Sequence, residues 1–85
     1  MTVRITVTED GTVRCIRLEG RLSADEIGEF EPLVGDDPNT VCLDLADLRS
    51  ADACGLALLR RLRREGFEMR GVPPRLAWRI EEDPS

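Results

Sequence analysis

The residues best suited to chemistry lie in the segment SADACG, residues 50–55, which brings an acid, a thiol and a glycine close together. Leu58 and Leu62 come next at helical spacing, so the segment predicts the start of an amphipathic helix. Asp52, or Ser50 before it, would cap the backbone N–H groups that a first helical turn leaves without partners. Cys54 would then lie in that turn, where the electropositive end of the helix stabilises a thiolate.

The pattern leaves three interpretations of Cys54 open. In the first, Cys54 is a small apolar residue packed beneath the preceding loop. In the second, it is a redox-sensitive thiol, although no second cysteine lies nearby in the sequence to form a disulfide with it. In the third, the start of the helix is a binding face that happens to contain a thiol.

The composition excludes several kinds of active site. The chain has no histidine, which rules out Cys-His and Ser-His-Asp catalysis and argues against a transition-metal site. Its three cysteines are widely spaced and form no CxxC pair, so neither a disulfide nor a zinc site is predicted. Aromatic residues make up 4% of the chain, too few for the stacking that single-stranded nucleic acid binding uses. We therefore expect no catalytic residue, metal, cofactor or nucleic acid partner.

The length and hydropathy of the chain indicate one soluble domain. A chain of 85 residues suits a single small core. No apolar run approaches the roughly 20 residues that span a bilayer. The first ten residues alternate between apolar and polar types and lack the core of a signal peptide. The sequence predicts a domain over residues 1–80, a disordered tail over residues 81–85, no insertion into a membrane and a cytoplasmic location.

The net charge of −5 is unevenly distributed along the chain. Residues 1–48 carry four arginines and eleven acidic residues, whereas residues 49–85 carry eight arginines and six acidic residues. The basic surplus therefore falls on the helix after residue 52 and on the segments C-terminal to that helix. Such a surplus indicates either a solvated helix face or a surface that binds a protein or an anionic partner.

The elements that must position this helix begin with a hairpin. Apolar residues alternate from residue 3 to residue 7, and Asp10-Gly11 favours a tight turn before a return strand over residues 13–19. The apolar residues of that strand do not keep to alternate positions, a mixed phase that indicates a bulge or a central strand covered on both sides. Ser23 and Glu26 have the spacing of a capping box, which predicts a helix whose apolar stripe ends near Val34.

The second half of the chain predicts three further elements around the helix of residues 53–65. A strand over residues 41–45 leads into a loop over residues 46–51, and Gly66 is suited to end the helix. A short strand comes next at residues 67–70, and Pro73-Pro74 begins a last helix. The order β-β-α-β-α-β-α predicts an α/β fold with a mixed sheet and helices mainly on one face.

Three stretches of the chain, in this order and spacing, resemble the STAS domain family of anti-sigma factor antagonists and their relatives. They are LEGRLS at residues 18–23, VCLDLADLRSADACGLALL at residues 41–59 and FEMRGVPPRLAWRI at residues 67–80. The resemblance implies a STAS-like fold and a non-enzymatic protein that binds other proteins. Many family members continue with a further strand and helix, so we expect a C-terminally short version of the fold.

The resemblance also implies a change at the regulatory position of the family. In antagonist members, a partner kinase that is also the anti-sigma factor phosphorylates the second serine of an Asp-Ser-Ser-Gly-Leu motif. That serine falls on Cys54 and the one before it on Ala53, and neither residue has a hydroxyl group. Ser23 stands where the family often has an aspartate. The resemblance therefore implies an antagonist-like regulator that lacks the phosphorylatable serine.

The predicted binding surface surrounds the start of the helix. Its residues are Ser23, Asp25, Ser50, Asp52, Ala53, Cys54 and Gly55, with Arg60, Arg61 and Arg64 at the rim. The expected partner is an anti-sigma kinase-like protein or, if the chain is a STAS subunit of a lipid-transport ATPase complex, that ATPase. A thiol redox protein that uses Cys54 is the alternative from another functional class. A homodimer that covers an exposed sheet edge is a further hypothesis.

Overall fold

A β-hairpin begins the fold, as the sequence predicts. The computed structural model describes residues 3–81, in which strand β1 (Arg4–Asp10) pairs antiparallel with strand β2 (Val13–Leu22). The two strands are joined by Gly11 and Thr12, and Gly11 has a φ of 65°, a conformation that glycine adopts without strain. The turn therefore lies one residue further along the chain than Asp10-Gly11.

Strand β2 occupies the centre of a mixed five-stranded sheet. Strand β3 (Val41–Asp44) pairs parallel with β2, and strand β5 (Glu68–Arg70) pairs parallel with β3, which gives the order β1-β2-β3-β5. Strand β4 (Leu48–Ala51) pairs parallel with the last residues of β2, where the register shifts between Gly20 and Arg21. A central position and a register irregularity together account for the mixed apolar phase of β2.

The prediction of a loop over residues 46–51 is wrong, because β4 lies within it. The strand has four residues, and its one fully buried apolar side chain is Leu48, so the sequence carries no alternation to detect. The strand forms instead because it pairs with β2, where Arg21 and Leu22 lie opposite Ser50 and Ala51. The element order is therefore β-β-α-β-β-α-β-α.

Three helices complete the fold: α1 (Ala24–Val34), α2 (Ala53–Arg64) and α3 (Pro74–Glu81). Pro32 lies in the last turn of α1, and the helix continues past it to Val34. Helix α2 ends at Arg64 with Glu65 as its C-cap, and the predicted terminating glycine, Gly66, comes next with a φ of 99° and donates its N–H to the carbonyl of Arg63. Glu81 is the last residue of α3, and the rest of the predicted tail, residues 82–85, lies outside the described residues.

One apolar cluster joins the helices to one face of the sheet. Ile16 and Leu18 of β2 and Leu43 of β3 are fully buried in it. Each helix contributes buried side chains, including Phe30 of α1, Leu59 of α2 and Ile80 of α3. The core therefore forms between the sheet and a single layer of helices, which confirms the predicted α/β fold and fixes the start of α2 against the end of β2.

Candidate functional site

Asp52 connects the starts of two helices. Its Oδ1 accepts a hydrogen bond of 2.8 Å from the N–H of Gly55 in α2, and its Oδ2 accepts one of 3.0 Å from the N–H of Ala24 in α1. The N–H of Asp52 itself donates to the carbonyl of Leu22 at 3.0 Å. One carboxylate therefore caps both helices, whereas the sequence predicts only its role in α2.

The charge of Asp52 is stabilised by this arrangement. The hydrogen bonds from Gly55 and Ala24 lower the pKa of Asp52, and the positive charge of Arg21 acts in the same direction. The carboxylate therefore remains ionised at neutral pH and lies at the electropositive ends of α1 and α2. A second negative charge close to Asp52 would be repelled by its carboxylate. It would also find the N–H groups of Ala24 and Gly55 already bound to that carboxylate.

Gly55 lies at a point where the first turn of α2 presses against the end of β2. A Cβ atom at this position would lie 2.7 Å from the carbonyl oxygen of Leu22 and 3.2 Å from the Cβ of Ala51. Gly55 is itself buried. In the predicted binding surface, its role is therefore to let the first turn of α2 pack closely against β2 beneath the exposed residues.

The predicted capping box of Ser23 and Glu26 is wrong in its hydrogen bonds. Ser23 is the N-cap residue by position, but its hydroxyl makes no cap bond and instead donates to Oε2 of Glu26 at 2.7 Å. The buried carboxylate of Glu26 accepts from the N–H of Val3 through Oε1 at 3.3 Å. Glu26 thus ties α1 to the N-terminal segment, and Asp52 takes the place of a local cap.

Cys54 is exposed on the first turn of α2, so the interpretation of this residue as a small apolar side chain packed beneath the preceding loop is wrong. Ala53 beside it is exposed as well. Asp25 is exposed in the first turn of α1, and Ser50 is exposed in β4. Because Asp52 joins the starts of α1 and α2, these exposed residues lie around a single carboxylate. We call this set, Asp25, Ser50, Asp52, Ala53 and Cys54, the helix-start surface.

The three arginines predicted at the rim lie further along α2. At a rise of 1.5 Å per residue, Arg61 and Arg64 are roughly 10 and 15 Å from Cys54 along the helix axis. Arg61 donates to Oε2 of Glu31 in α1 at 2.8 Å, and Arg60 donates through Nε to the carbonyl of Arg79 in α3 at 2.9 Å. The structure therefore uses two of these arginines to bind α2 to its neighbouring helices and does not bring them to the helix-start surface.

The other two cysteines are neighbours in the sheet, which the sequence does not predict. Cys15 and Cys42 lie opposite each other on β2 and β3, and Cys42 is only 2% exposed. Burial and a hydrogen bond with Glu68 raise the pKa of Cys42 to about 12, so it is a neutral thiol at physiological pH. Neither cysteine is on α2, which leaves Cys54 as the exposed thiol of the three.

Residues 3–81 offer neither a metal site nor a membrane-spanning helix. No group of three or more Cys, Asp or Glu side chains in this part of the chain could hold a metal ion. None of its helices is long and apolar enough to cross a membrane.

Comparison with solved structures places this arrangement in a known fold. The crystal structure of an antisigma-factor antagonist, a STAS domain from Rhodobacter sphaeroides, is similar over 80% of this chain and 80% of its own length, with a TM-score of 0.50 and 25% identity. The chain has a STAS-like fold. No protein-family model matches the sequence, and no curated protein matches it closely. The similarity to a STAS domain therefore comes from the arrangement of the strands and helices together with a modest level of identity.

Proposed function

We propose that this STAS-like chain is a cytoplasmic, non-enzymatic regulatory module that binds a protein partner through the helix-start surface. Asp52 carries the proposal, since its two hydrogen bonds fix the exposed turn of Ala53 and Cys54 against the start of α1. The similarity to an antisigma-factor antagonist supports a partner of the anti-sigma type. An anti-sigma kinase-like protein is therefore the partner that we expect.

We further propose that phosphorylation does not control this binding. Phosphate on an antagonist's serine adds roughly −1.5 to −2 charges at the interface. Cys54 occupies the corresponding position, and its thiol accepts no phosphate in this type of switch. Ser50, a nearby hydroxyl, lies in β4 on the other side of Asp52. The surface would therefore stay in the form that binds the partner.

The test is affinity capture from a lysate of the source organism with the wild type and with Cys54→Glu. Glutamate at this position adds a negative charge beside Asp52, as a phosphate would, while a negative charge in the first turn of a helix is compatible with folding. We expect the wild type to retain an anti-sigma kinase-like protein and Cys54→Glu to lose it. Cys54→Gln, which has the same shape without the charge, is the matched control and should retain the partner.

Other outcomes of the same capture contradict parts of the proposal. Equal retention by Cys54→Glu and the wild type would mean that the helix-start surface does not contact the partner. Constant co-purification with a transport ATPase would instead identify a subunit of a lipid-transport complex.

The exposure of Cys54 favours a thiol redox protein as the second candidate function. This candidate predicts that an alkylating reagent modifies Cys54 much faster than Cys15 or Cys42 in the folded protein. Because exposure alone also speeds alkylation, the control is a thiol placed at Ala57, which is also exposed on α2, in a variant without Cys54. A rate at Cys54 no higher than at this control would remove the redox candidate.

A further inference from the structure

Trp78 is the most exposed large apolar side chain in residues 3–81, with 72% of its surface accessible. Its exposure is not a consequence of poor packing by α3. Leu76 and Ile80, on the opposite face of the helix, are 6% and 4% exposed and belong to the core. The helix is thus fixed to the protein by one face and presents its tryptophan on the other.

Arg60 of α2 contacts α3, and two further exposed arginines lie on these helices. Arg79 is next to Trp78 in the chain, and its carbonyl accepts the hydrogen bond from Nε of Arg60, so this contact holds Arg60 in α2 against α3. Arg64 lies one turn beyond Arg60 on the same side of α2 and is exposed. None of these three arginines forms an ion pair with an acidic side chain in the part of the chain that the structure describes. We call Trp78, Arg79, Arg60 and Arg64 the α3 patch.

We infer that the α3 patch is a docking surface for an acidic segment of a protein partner. Tryptophan and arginine are the residues that most often dominate the binding energy of protein interfaces. A guanidinium group binds a carboxylate through two parallel hydrogen bonds, and the Nε bond of Arg60 leaves both of its terminal nitrogens available for this geometry. Trp78 supplies an exposed apolar contact on the same helix as Arg79.

The chemistry of the patch favours this occupant over three others. A membrane-bound helix presents a face of several apolar side chains, and on α3 Leu76 and Ile80 are in the core, so Trp78 is the one large apolar side chain on its outer face. A symmetric dimer through the patch would place arginine against arginine. A long nucleic acid would be repelled by the chain as a whole, whose net charge is −5. A short acidic segment would pair its carboxylates with the arginines without these unfavourable contacts.

The α3 patch is separate from the helix-start surface, so the inference goes beyond the proposed function. Its residues come from α3 and the second half of α2, whereas the helix-start surface lies at the first turns of α1 and α2. Variants at Cys54 therefore test one surface, and variants at Arg79 test the other.

Trp78 is the only tryptophan of the chain, which also has no tyrosine, so its fluorescence reports directly on the patch. The probe is a synthetic amphipathic peptide of glutamate and leucine without aromatic residues, and its control carries lysine in place of glutamate. We expect the acidic peptide to shift the emission of Trp78 to shorter wavelength in a saturable way and to reduce quenching by acrylamide. High salt should weaken this binding.

The decisive variant is Arg79→Glu, which keeps the reporter tryptophan and reverses one charge of the patch. Affinity for the acidic peptide should fall by about tenfold or more. Arg4→Glu makes the same charge change at an exposed position on β1 and should leave affinity within about twofold. Cys54→Glu should bind the peptide as the wild type does, which separates this result from a failure of the proposed function.

Three outcomes would overturn the inference. The first is a shift no greater with the acidic peptide than with the lysine control. The second is a shift that appears only with vesicles containing phosphatidylglycerol, which would identify a membrane contact. The third is a shift that depends on protein concentration without peptide, with dimers in sedimentation velocity, which would identify a second copy as the occupant.

Discussion

The two ends of helix α2 are held in place by different kinds of interaction. At its start, a single carboxylate, Asp52, binds N–H groups of two helices, and Gly55 allows contact with the backbone of β2. Towards its end, Arg61 reaches Glu31 of α1 with side chains that are about half exposed. Exposed ion pairs contribute little to stability, whereas close backbone packing tolerates little change. We therefore expect the start of α2, on which the helix-start surface lies, to tolerate less change than the contact of Arg61 with Glu31.

The sharpest test of this difference is Gly55→Ala. The added Cβ would lie 2.7 Å from the carbonyl oxygen of Leu22, so the backbone of α2 or β2 must move. We expect a loss of about 1–3 kcal/mol in the free energy of unfolding, measured by urea denaturation. Gly28→Ala in α1 is the matched control, because nothing lies within 4 Å of its Cβ. It should stabilise the protein by about 0.5–1 kcal/mol, as alanine does in a helix.

A Gly55→Ala protein with the same free energy of unfolding as the wild type would contradict the close approach of α2 to β2. In that case the two ends of the helix would not differ in their tolerance of change.

Asp52→Asn should have the next largest effect. The amide keeps the size of the side chain but loses the charge that both hydrogen bonds favour. The pKa of Asp52 is lowered in the folded protein, so its contribution is present above the unfolded pKa of about 4 and is lost as pH falls through the folded value. In urea denaturation at pH 7, the free energy of unfolding should therefore be higher for the wild type than for the variant. At pH 3 this difference in free energy should be smaller.

The difference in the free energy of unfolding between wild type and Asp52→Asn could instead stay constant from pH 7 to pH 3. That result would mean that the charge of Asp52 contributes nothing to the two caps. Asp47→Asn, at an exposed carboxylate that pairs with Arg17 outside both caps, is the control for a general charge effect.

Arg61→Ala should have the smallest effect of the three. Its ion pairs with Glu31 and Glu65 are exposed and are screened by salt. We expect a small decrease in thermal stability at low ionic strength that disappears at high ionic strength. A loss as large as that of Gly55→Ala would show that both ends of α2 are equally intolerant of change.

The features of the helix-start surface that the sequence predicts are local, and those it misses depend on distant parts of the chain. The N-cap role of Asp52 is predictable from its position three residues before Gly55. Its bond to Ala24 is not, since these residues are brought together only by the pairing of β2 with β4. Strand β4 itself depends on the same pairing and has too few residues for a periodic pattern.

The capping box of Ser23 and Glu26 shows the opposite problem, a local pattern overridden by tertiary contacts. Glu26 is buried and accepts hydrogen bonds from the N–H of Val3 and the hydroxyl of Ser23, while Asp52 accepts from the N–H of Ala24. The order of the elements other than β4 was predictable because the alternation of β1 and β3 and the apolar stripes of the helices extend over enough residues. The pairing of Cys15 with Cys42 was not, because strand register is a property of the folded sheet.

Because Ala24 and Gly55 share one acceptor residue, their amide protons are protected by the same side chain. A rotation of the Asp52 carboxylate away from the two helices exposes both amides in a single opening event. Hydrogen exchange at these two positions should therefore be correlated although they are far apart in the sequence. A partner that restrains the turn of Ala53 and Cys54 would slow exchange at the start of α1 as well, without touching that helix.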